Sequence, residues 1–366
     1  MKLYSTKLIL IDITTRWHFC HFMVLILPSF FFKFAIKKMK VAILVYNYCS
    51  LWAAAGCMEI LLRANKAQDY YKRNPRKYFE IEFVSSTKEQ AVTHYNIPIQ
   101  NHSTIYNQKR YDIVIVPGTD TNPLSILEEN KDAITWIKNQ NENEALVVSN
   151  CTGSFLLAAS GILDNKTATT HWFMADLFKK RFPEIKLCTE KIIIDNKNSI
   201  TSGGATSFEN LMVYIIEKFL GHEIALGVSK LYLIDLNKDN QLSYSILNMQ
   251  KNHGDQQILK AQDFIEQNSK NKLSLSQISE KICMSTRSFI RRFKAATGDT
   301  PFQYIQKVKV ENAKRQLESG DKTFEEIAFI VGYDDANAFR KIFIRYTGIT
   351  PSLYKKKYCI NSRFVA

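Results

Sequence analysis

The chain has 366 residues with 49 Lys and Arg against 35 Asp and Glu, a formal charge of +14. That length allows two or three domains, each with a core of its own, and the excess positive charge favours a polyanionic partner. Its seven cysteines (Cys20, Cys49, Cys57, Cys151, Cys188, Cys283 and Cys359) form no Cys-x-x-Cys pair and no framework spacing, which argues against structural zinc and disulfides and for reduced thiols in a cytoplasm. No metal or other cofactor is expected.

Residues 1–38 differ in composition from the rest. The apolar run from Phe19 to Ile36 is broken by His21, Pro28 and Lys33, short of the roughly 20 apolar residues that a spanning helix needs. Phe34-Ala35-Ile36-Lys37 makes a poor signal-peptidase site. The expectation is that 1–38 is a non-native or disordered extension with translation starting at Met39, a membrane anchor being the alternative.

From 39 to about 221 short apolar runs alternate with longer amphipathic ones. Val41–Tyr46, Phe79–Val84, Tyr111–Val116, Ala145–Ser149 and Ile192–Asp195 read as buried strands. Leu51–Asn65, Pro123–Asn139, Gly153–Ser160 and Phe208–Leu220 read as helices. The alternation predicts a parallel sheet covered on both faces, with ligands gathering at the carboxyl ends of its strands. Pro117-Gly118-Thr119-Asp120 and Ser149-Asn150-Cys151-Thr152-Gly153 follow two of those strands. The second has the shape of a nucleophile elbow, with Cys151 at a helix N-terminus where the dipole and free N–H groups favour thiolate. His171 is its candidate partner, and the backbone N–H groups of Gly118 and Thr152 are candidate oxyanion donors.

This segment resembles the PfpI/ThiJ-type, class I glutamine-amidotransferase-like domain. The stretch Ser149-Asn150-Cys151-Thr152-Gly153-Ser154 through Ala168-Thr169-Thr170-His171-Trp172 is similar to the hallmark of a subgroup in which the domain is fused to an AraC/XylS-type DNA-binding domain. The resemblance implies a flavodoxin-like fold. Enzymes of the superfamily pair the elbow cysteine with a histidine, often with an acid from the loop after the first strand. Here that loop, Asn47 to Gly56, holds no carboxylate before Glu59. A pocket with donors and a thiol but an incomplete acid/base set suits ligand sensing better than turnover.

Residues 222–255 are expected as a linker, with Val228–Asp235 a strand or short helix and the hinge at Asn248–Gln257. Beyond it the chain writes one pattern twice. Ile278, Met284, Ser285, Phe289, Phe293, Thr297, Gly298, Pro301 and Tyr304 recur as Ile327, Tyr333, Asp334, Phe339, Phe343, Thr347, Gly348, Pro351 and Tyr354. The offset is 50 residues from the Phe pairs onward and 49 between the two isoleucines, so the second copy has one extra residue at its turn. Each copy reads as a helix-turn-helix unit, at about 273–298 and 323–348, inside an all-α domain of 256–358 with a tail of 359–366. The segment 255–366 holds 20 basic and 12 acidic residues.

Gln257–Asn268 is a leading helix, Ser274–Ile282 a serine-capped scaffold helix and Pro301–Leu317 a rigid spacer. Helix Thr286–Thr297 turns Phe289 and Phe293 inward and offers Thr286, Arg287, Ile290, Arg291 and Lys294 to DNA. Helix Asp335–Tyr346 offers Asn337, Arg340 and Lys341. Asn337 suits adenine, while Arg340 and Lys341 suit phosphates. The domain resembles the AraC/XylS family, through Gly332-Tyr333…Phe339…Phe343…Gly348-Ile349-Thr350-Pro351-Ser352-Leu353-Tyr354-Lys355. That family implies two readers in successive major-groove faces, with Lys355 standing where Arg is common.

The expected fold is thus α/β, a flavodoxin-like parallel-sheet sensor domain followed by an all-α domain with two helix-turn-helix motifs. The expected function is sequence-specific transcription regulation in the cytoplasm in response to a small molecule. A Cys-dependent amidohydrolase or glyoxalase-like enzyme tethered to DNA is the alternative. Expected partners are double-stranded DNA, an unidentified effector, RNA polymerase and a second copy joined through the amidotransferase-like domain.

Overall fold

A computed structural model describes residues 37–70, 77–238, 240–247, 251 and 253–359. Residues 1–36, the three hinge positions 248–250 and most of the tail lie outside the described residues. The strands are β1 (Lys37–Val45), β2 (Lys77–Ser85), β3 (Ala91–Val92), β4 (Pro98–Ile99), β5 (Ser103–Thr104), β6 (Ile113–Val116), β7 (Leu146–Asn150), β8 (Thr167–Ala168), β9 (Lys186–Leu187), β10 (Ile193–Asp195) and β11 (Ser199–Ser202). The helices of the α/β part are α1 (Leu51–Tyr70), α2 (Pro123–Glu129), α3 (Lys131–Glu142), α4 (Ser154–Ala159), α5 (Ala175–Arg181), α6 (Ser207–Leu220) and α7 (His222–Tyr232).

Seven strands form one sheet in the order β10-β11-β7-β6-β1-β2-β5, parallel except for β10 against β11. Its five central strands run β2-β1-β6-β7-β11, so the winding reverses between β1 and β6. That reversal opens the crevice in which a doubly wound sheet holds its ligand. From Val41 onward β1, all of β6 and the Leu146–Val148 part of β7 are apolar and buried on both faces, which is why they read as uninterrupted runs rather than alternations. Lys37 and Lys38 already pair with Lys77 and Tyr78, so the first strand begins two residues ahead of Met39.

Two other boundaries differ from the sequence reading. The helix expected over Pro123–Asn139 is broken at Asn130, a buried residue whose amide is held by the Ile126 carbonyl at 3.0 Å and by the Ser86 hydroxyl at 3.0 Å. The expected linker opens with α7, whose Ile224, Ala225 and Val228 join Ile234 in the α/β core. Its apolar face packs on α1 and α6, and that burial overrides the weak local signal.

The C-terminal part is helical: α8 (Gln256–Gln267), α9 (Leu275–Lys281), α10 (Thr286–Thr297), α11 (Pro301–Ser319), α12 (Phe324–Ile330), α13 (Ala336–Thr347) and α14 (Pro351–Tyr358). Reciprocal capping boxes, Ser274 with Gln277, Thr300 with Gln303 and Thr323 with Glu326, start α9, α11 and α12. The turn between paired helices spans 282–285 in the first copy and 331–335 in the second. Gly298 and Gly348 end the recognition helices at φ 80° and 72°, a region that glycine enters without the Cβ penalty.

Each copy has its own core, one around Phe289 and Phe293, the other around Phe339 and Phe343, all fully buried. Helix α11 serves both, giving Tyr304, Ile305 and Val308 to the first and Val310, Ala313 and Leu317 to the second. Among the described residues no helix is long and apolar enough to cross a membrane.

Candidate functional site

At the end of β7 the backbone turns through Cys151, whose φ of 55° lies in the left-handed region that non-glycine residues avoid. The short helical turn Cys151–Gly153 then leads into α4. A Cβ on Gly153 would sit 2.3 Å from the Val116 carbonyl oxygen and 2.7 Å from that of Pro117, so only glycine lets the elbow lie against β6. Gly118 presses from the other side, where a Cβ would lie 3.1 Å from that of Cys151. The Thr152 hydroxyl accepts the Thr119 N–H at 2.8 Å, and Tyr46 donates to the Pro117 carbonyl at 2.7 Å. These bonds fix the carboxyl ends of β1, β6 and β7 around the thiol.

The electrostatics of the elbow differ from those expected of a helix-terminal cysteine. Burial pushes the Cys151 thiol up to about 11, against the pull of the Thr152 backbone N–H and hydroxyl. Cys49, also buried, is pushed up to about 12 by the same cause, and Tyr46, which both cysteines influence, is raised well above its ordinary value, chiefly by burial. Desolvation therefore outweighs the helix terminus, and both thiols stay protonated at neutral pH.

His171 and Cys151 are not joined by a hydrogen bond. The imidazole Nδ1 accepts the Phe173 N–H at 3.1 Å, capping the turn that leads to α5, and burial lowers its basicity. Thr170 reaches the elbow instead. Its hydroxyl and that of Ser154 lie 2.8 Å apart, and both reach the Cys151 carbonyl, at 3.2 Å and 3.0 Å. Of the candidate oxyanion residues, Gly118 and Thr152 both border the thiol.

Sequence reasoning sought a carboxylate in the loop after β1 and overlooked Asp120. The loop after β6 carries Asp120 to the other lip of the crevice, where its N–H bonds the Tyr48 carbonyl at 3.2 Å. Its charge raises Cys151, Cys49 and Tyr46 after the larger effect of burial, and its own carboxyl is raised by desolvation, offset by His94. The reversal of winding between β1 and β6 was the available signal, because it brings these two loops together.

The segment beside the elbow is stitched to the C-terminal part through the connector. Gln241 is 2% exposed; its Nε2 donates to the Thr170 carbonyl at 2.8 Å and the Thr169 hydroxyl at 3.2 Å, and its Oε1 accepts the Trp172 N–H at 3.2 Å. Two residues on, the Ser243 hydroxyl lies 3.2 Å from Lys357 Nζ, and the Leu247 N–H donates to Glu311 on α11 at 3.3 Å.

On α10, Arg287, Arg291 and Lys294 are exposed, with Thr286 and Ile290 half-buried beside them. The helix starts at Ser285, whose hydroxyl caps the Ser288 N–H. On α13, Asn337 and Lys341 are exposed, and Asp335 caps the Asn337 N–H at 2.8 Å. Arg340, expected to suit phosphate, is half-buried. It donates to Glu325 Oε1 at 2.8 Å and to Asn337 Oδ1, with its guanidinium 5.3 Å from the Phe324 ring. Lys272 bonds Asp334 across the two copies.

Two family descriptions match the chain: the DJ-1/PfpI family over residues 39–218 and a helix-turn-helix domain over 278–357. The HTH-type transcriptional regulator CdhR of Pseudomonas aeruginosa is 24% identical over 60% of this chain and 65% of its own length. The HTH-type transcriptional regulator GbdR of the same species is 22% identical over 85% of this chain and 83% of its own. The HTH-type transcriptional regulator GlxA of Rhizobium meliloti is 25% identical over 54% of this chain and 62% of its own. The chain thus spans just under two thirds of the length of CdhR and GlxA. Among solved structures, Drosophila melanogaster DJ-1beta aligns with a TM-score of 0.46 at 16% identity, covering 54% of this chain and 99% of that one.

Proposed function

We propose that this chain, whose 39–218 segment belongs to the DJ-1/PfpI family and whose 278–357 segment is an AraC-type helix-turn-helix domain, is a sequence-specific DNA-binding transcription regulator that senses a small molecule at the Cys151 pocket. The observation that carries the reading is the pair of capped recognition helices, each anchored by two buried phenylalanines and each turning polar or cationic side chains to solvent. Base-reading and phosphate-gripping groups on one face are what a major-groove reader requires. The regulator names of the relatives support it.

Sensing is favoured over turnover by the chemistry of the elbow. A thiol held protonated by burial, beside a histidine turned to a backbone N–H, lacks the activated nucleophile that acyl transfer needs. Occupation of the crevice would press on Gly118, Thr152 and Thr170, and the Thr170 carbonyl is bonded to Gln241 of the connector. One route from the elbow to the DNA-binding helices therefore runs through a buried glutamine. RNA polymerase and a second copy paired through the α/β domain complete the proposed partners, in the cytoplasm.

Asp120 favours a second reading, a Cys-dependent hydrolase, because it supplies the carboxylate that the loop after β1 lacks. Cys151→Ala separates the two in a reporter assay of the regulated promoter combined with a search for product release. Sensing predicts an altered induction profile with no turnover in either protein. Turnover by the wild type that disappears in the variant would establish the hydrolase.

A further inference from the structure

The second reader holds a side-chain clamp around Asn337 that the matching positions of the first do not repeat. On α13 Arg340 lies three residues after Asn337, on the same side of the helix. Its Nη1 donates to Asn337 Oδ1, its Nη2 donates to Glu325 Oε1 at 2.8 Å, and its guanidinium lies 5.3 Å from the Phe324 ring centroid. That ring is itself fixed, stacked on Phe339 at 5.6 Å with an interplanar angle of 6°. In the first copy the matching positions are Leu275, Ser276, Arg287 and Ile290. They supply neither ring, carboxylate nor a second guanidinium to the same arrangement.

We infer that Asn337 is the specificity-determining residue of the second reader, selecting adenine, and that Arg340 is the positioning residue that sets its carboxamide. The inference rests on the DNA-binding reading above. Asn337 occupies the first turn of α13, the part of a recognition helix that meets base edges. Its N–H is tied to Asp335, so the backbone beneath it is fixed. With Oδ1 oriented by Arg340, one oxygen lone pair and the Nδ2 hydrogens remain for the groove. That acceptor and donor match N6 and N7 of adenine.

Arg340 is poorly placed to grip a phosphate, since its planar fork is already divided between an amide oxygen and a carboxylate over an aromatic face. Lysine would keep the charge but cannot hold two partners in one plane while stacking on a ring. The clamp is therefore sensitive to Arg340→Lys, whereas a simple charge contact to DNA is not.

The test is selection of duplexes from a library randomised over 20–25 base pairs by the full-length protein, as wild type, Arg340→Lys and Glu325→Gln. The wild type should enrich adenine at one position of the second half-site. Arg340→Lys should lower that preference about tenfold, leaving the first half-site preference and the salt dependence of binding unchanged. The surviving first half-site also reports that the variant is folded. Glu325→Gln should lower the same preference without tightening binding. An unaltered adenine preference in Arg340→Lys, or tighter binding by Glu325→Gln with a log–log salt slope steeper by about 0.9, would overturn the inference and make Arg340 a phosphate ligand. A wild type that enriches no sequence would overturn the DNA-binding reading itself, and the inference with it.

Discussion

Replacing Gln241 by Ala should detach the connector from the α/β domain without unfolding that domain. The side chain is 2% exposed and makes bonds of 2.8 Å to the Thr170 carbonyl, 3.2 Å to the Thr169 hydroxyl and 3.2 Å from the Trp172 N–H. Losing these three neutral bonds at about 1 kcal/mol each, with the Thr170 and Trp172 groups left unpaired, costs about 3 kcal/mol. Gly203 offers an independent route to the same slot, because a Cβ there would lie 2.1 Å from Gln241 Nε2. Gly203→Ala should expel the glutamine and cost at least as much, because its Cβ would also lie 2.8 Å from the Thr170 carbonyl oxygen. The double variant should then cost less than the sum of the two single variants, since the bonds of the glutamine can be lost only once while the close approach to the Thr170 carbonyl remains. Hydrogen exchange over residues 240–247 is the assay, and a loss of about 3 kcal/mol corresponds to roughly hundredfold faster exchange. Fully additive losses in the double variant, or unchanged exchange in Gln241→Ala, would refute the slot as the anchor of the connector.

Phe339→Ala removes a fully buried ring stacked on Phe324 and Tyr333, at 5.6 Å and 4.7 Å, and should cost about 3–5 kcal/mol in thermal or urea unfolding; a loss under about 1 kcal/mol would contradict the second core. Alkylation of Cys151 by iodoacetamide should be slow at neutral pH and accelerate toward pH 11, because burial raises the thiol to about 11; an apparent value below 8 would show an activated nucleophile. By linkage, this thiol stabilises the fold fully below the unfolded value near 9 and loses that contribution as pH rises from there through about 11. Gly153→Ala, with its Cβ 2.3 Å from the Val116 oxygen, should fail to give folded protein or lose at least about 2 kcal/mol, and ordinary stability by circular dichroism would count against the tight elbow.

What the sequence made legible follows from the strength of local signals. The duplicated phenylalanine pairs, the Ser274 and Thr323 caps and the two αL glycines each determine structure within a few residues, and both helix-turn-helix units could be read from them. The buried strands could be read because Val41–Val45 and Ile113–Val116 are apolar without interruption. The pocket was harder. Cys151 stands out by its elbow, but whether His171 or Thr170 meets it depends on which side chain the strand after α4 turns inward, and a segment of two threonines followed by histidine does not specify that. Asp120 is separated from Cys49 by about seventy residues of chain, so only the winding order of the sheet brings them together. The Arg340 clamp was hidden for a similar reason, because helical spacing puts Arg340 on the polar side but does not reveal that Glu325 and Phe324 of the preceding helix receive it. Helix α7 lacked any signal beyond a weak apolar face.

Hydroxyl-radical footprinting of the full-length protein on a selected duplex tests most directly whether two unequal readers sit in one chain. Two protected patches about 10 base pairs apart on one face of the DNA are predicted, with Arg287→Ala/Arg291→Ala losing the first patch and retaining the second. A single patch, or equal loss of both patches in that variant, would contradict the account.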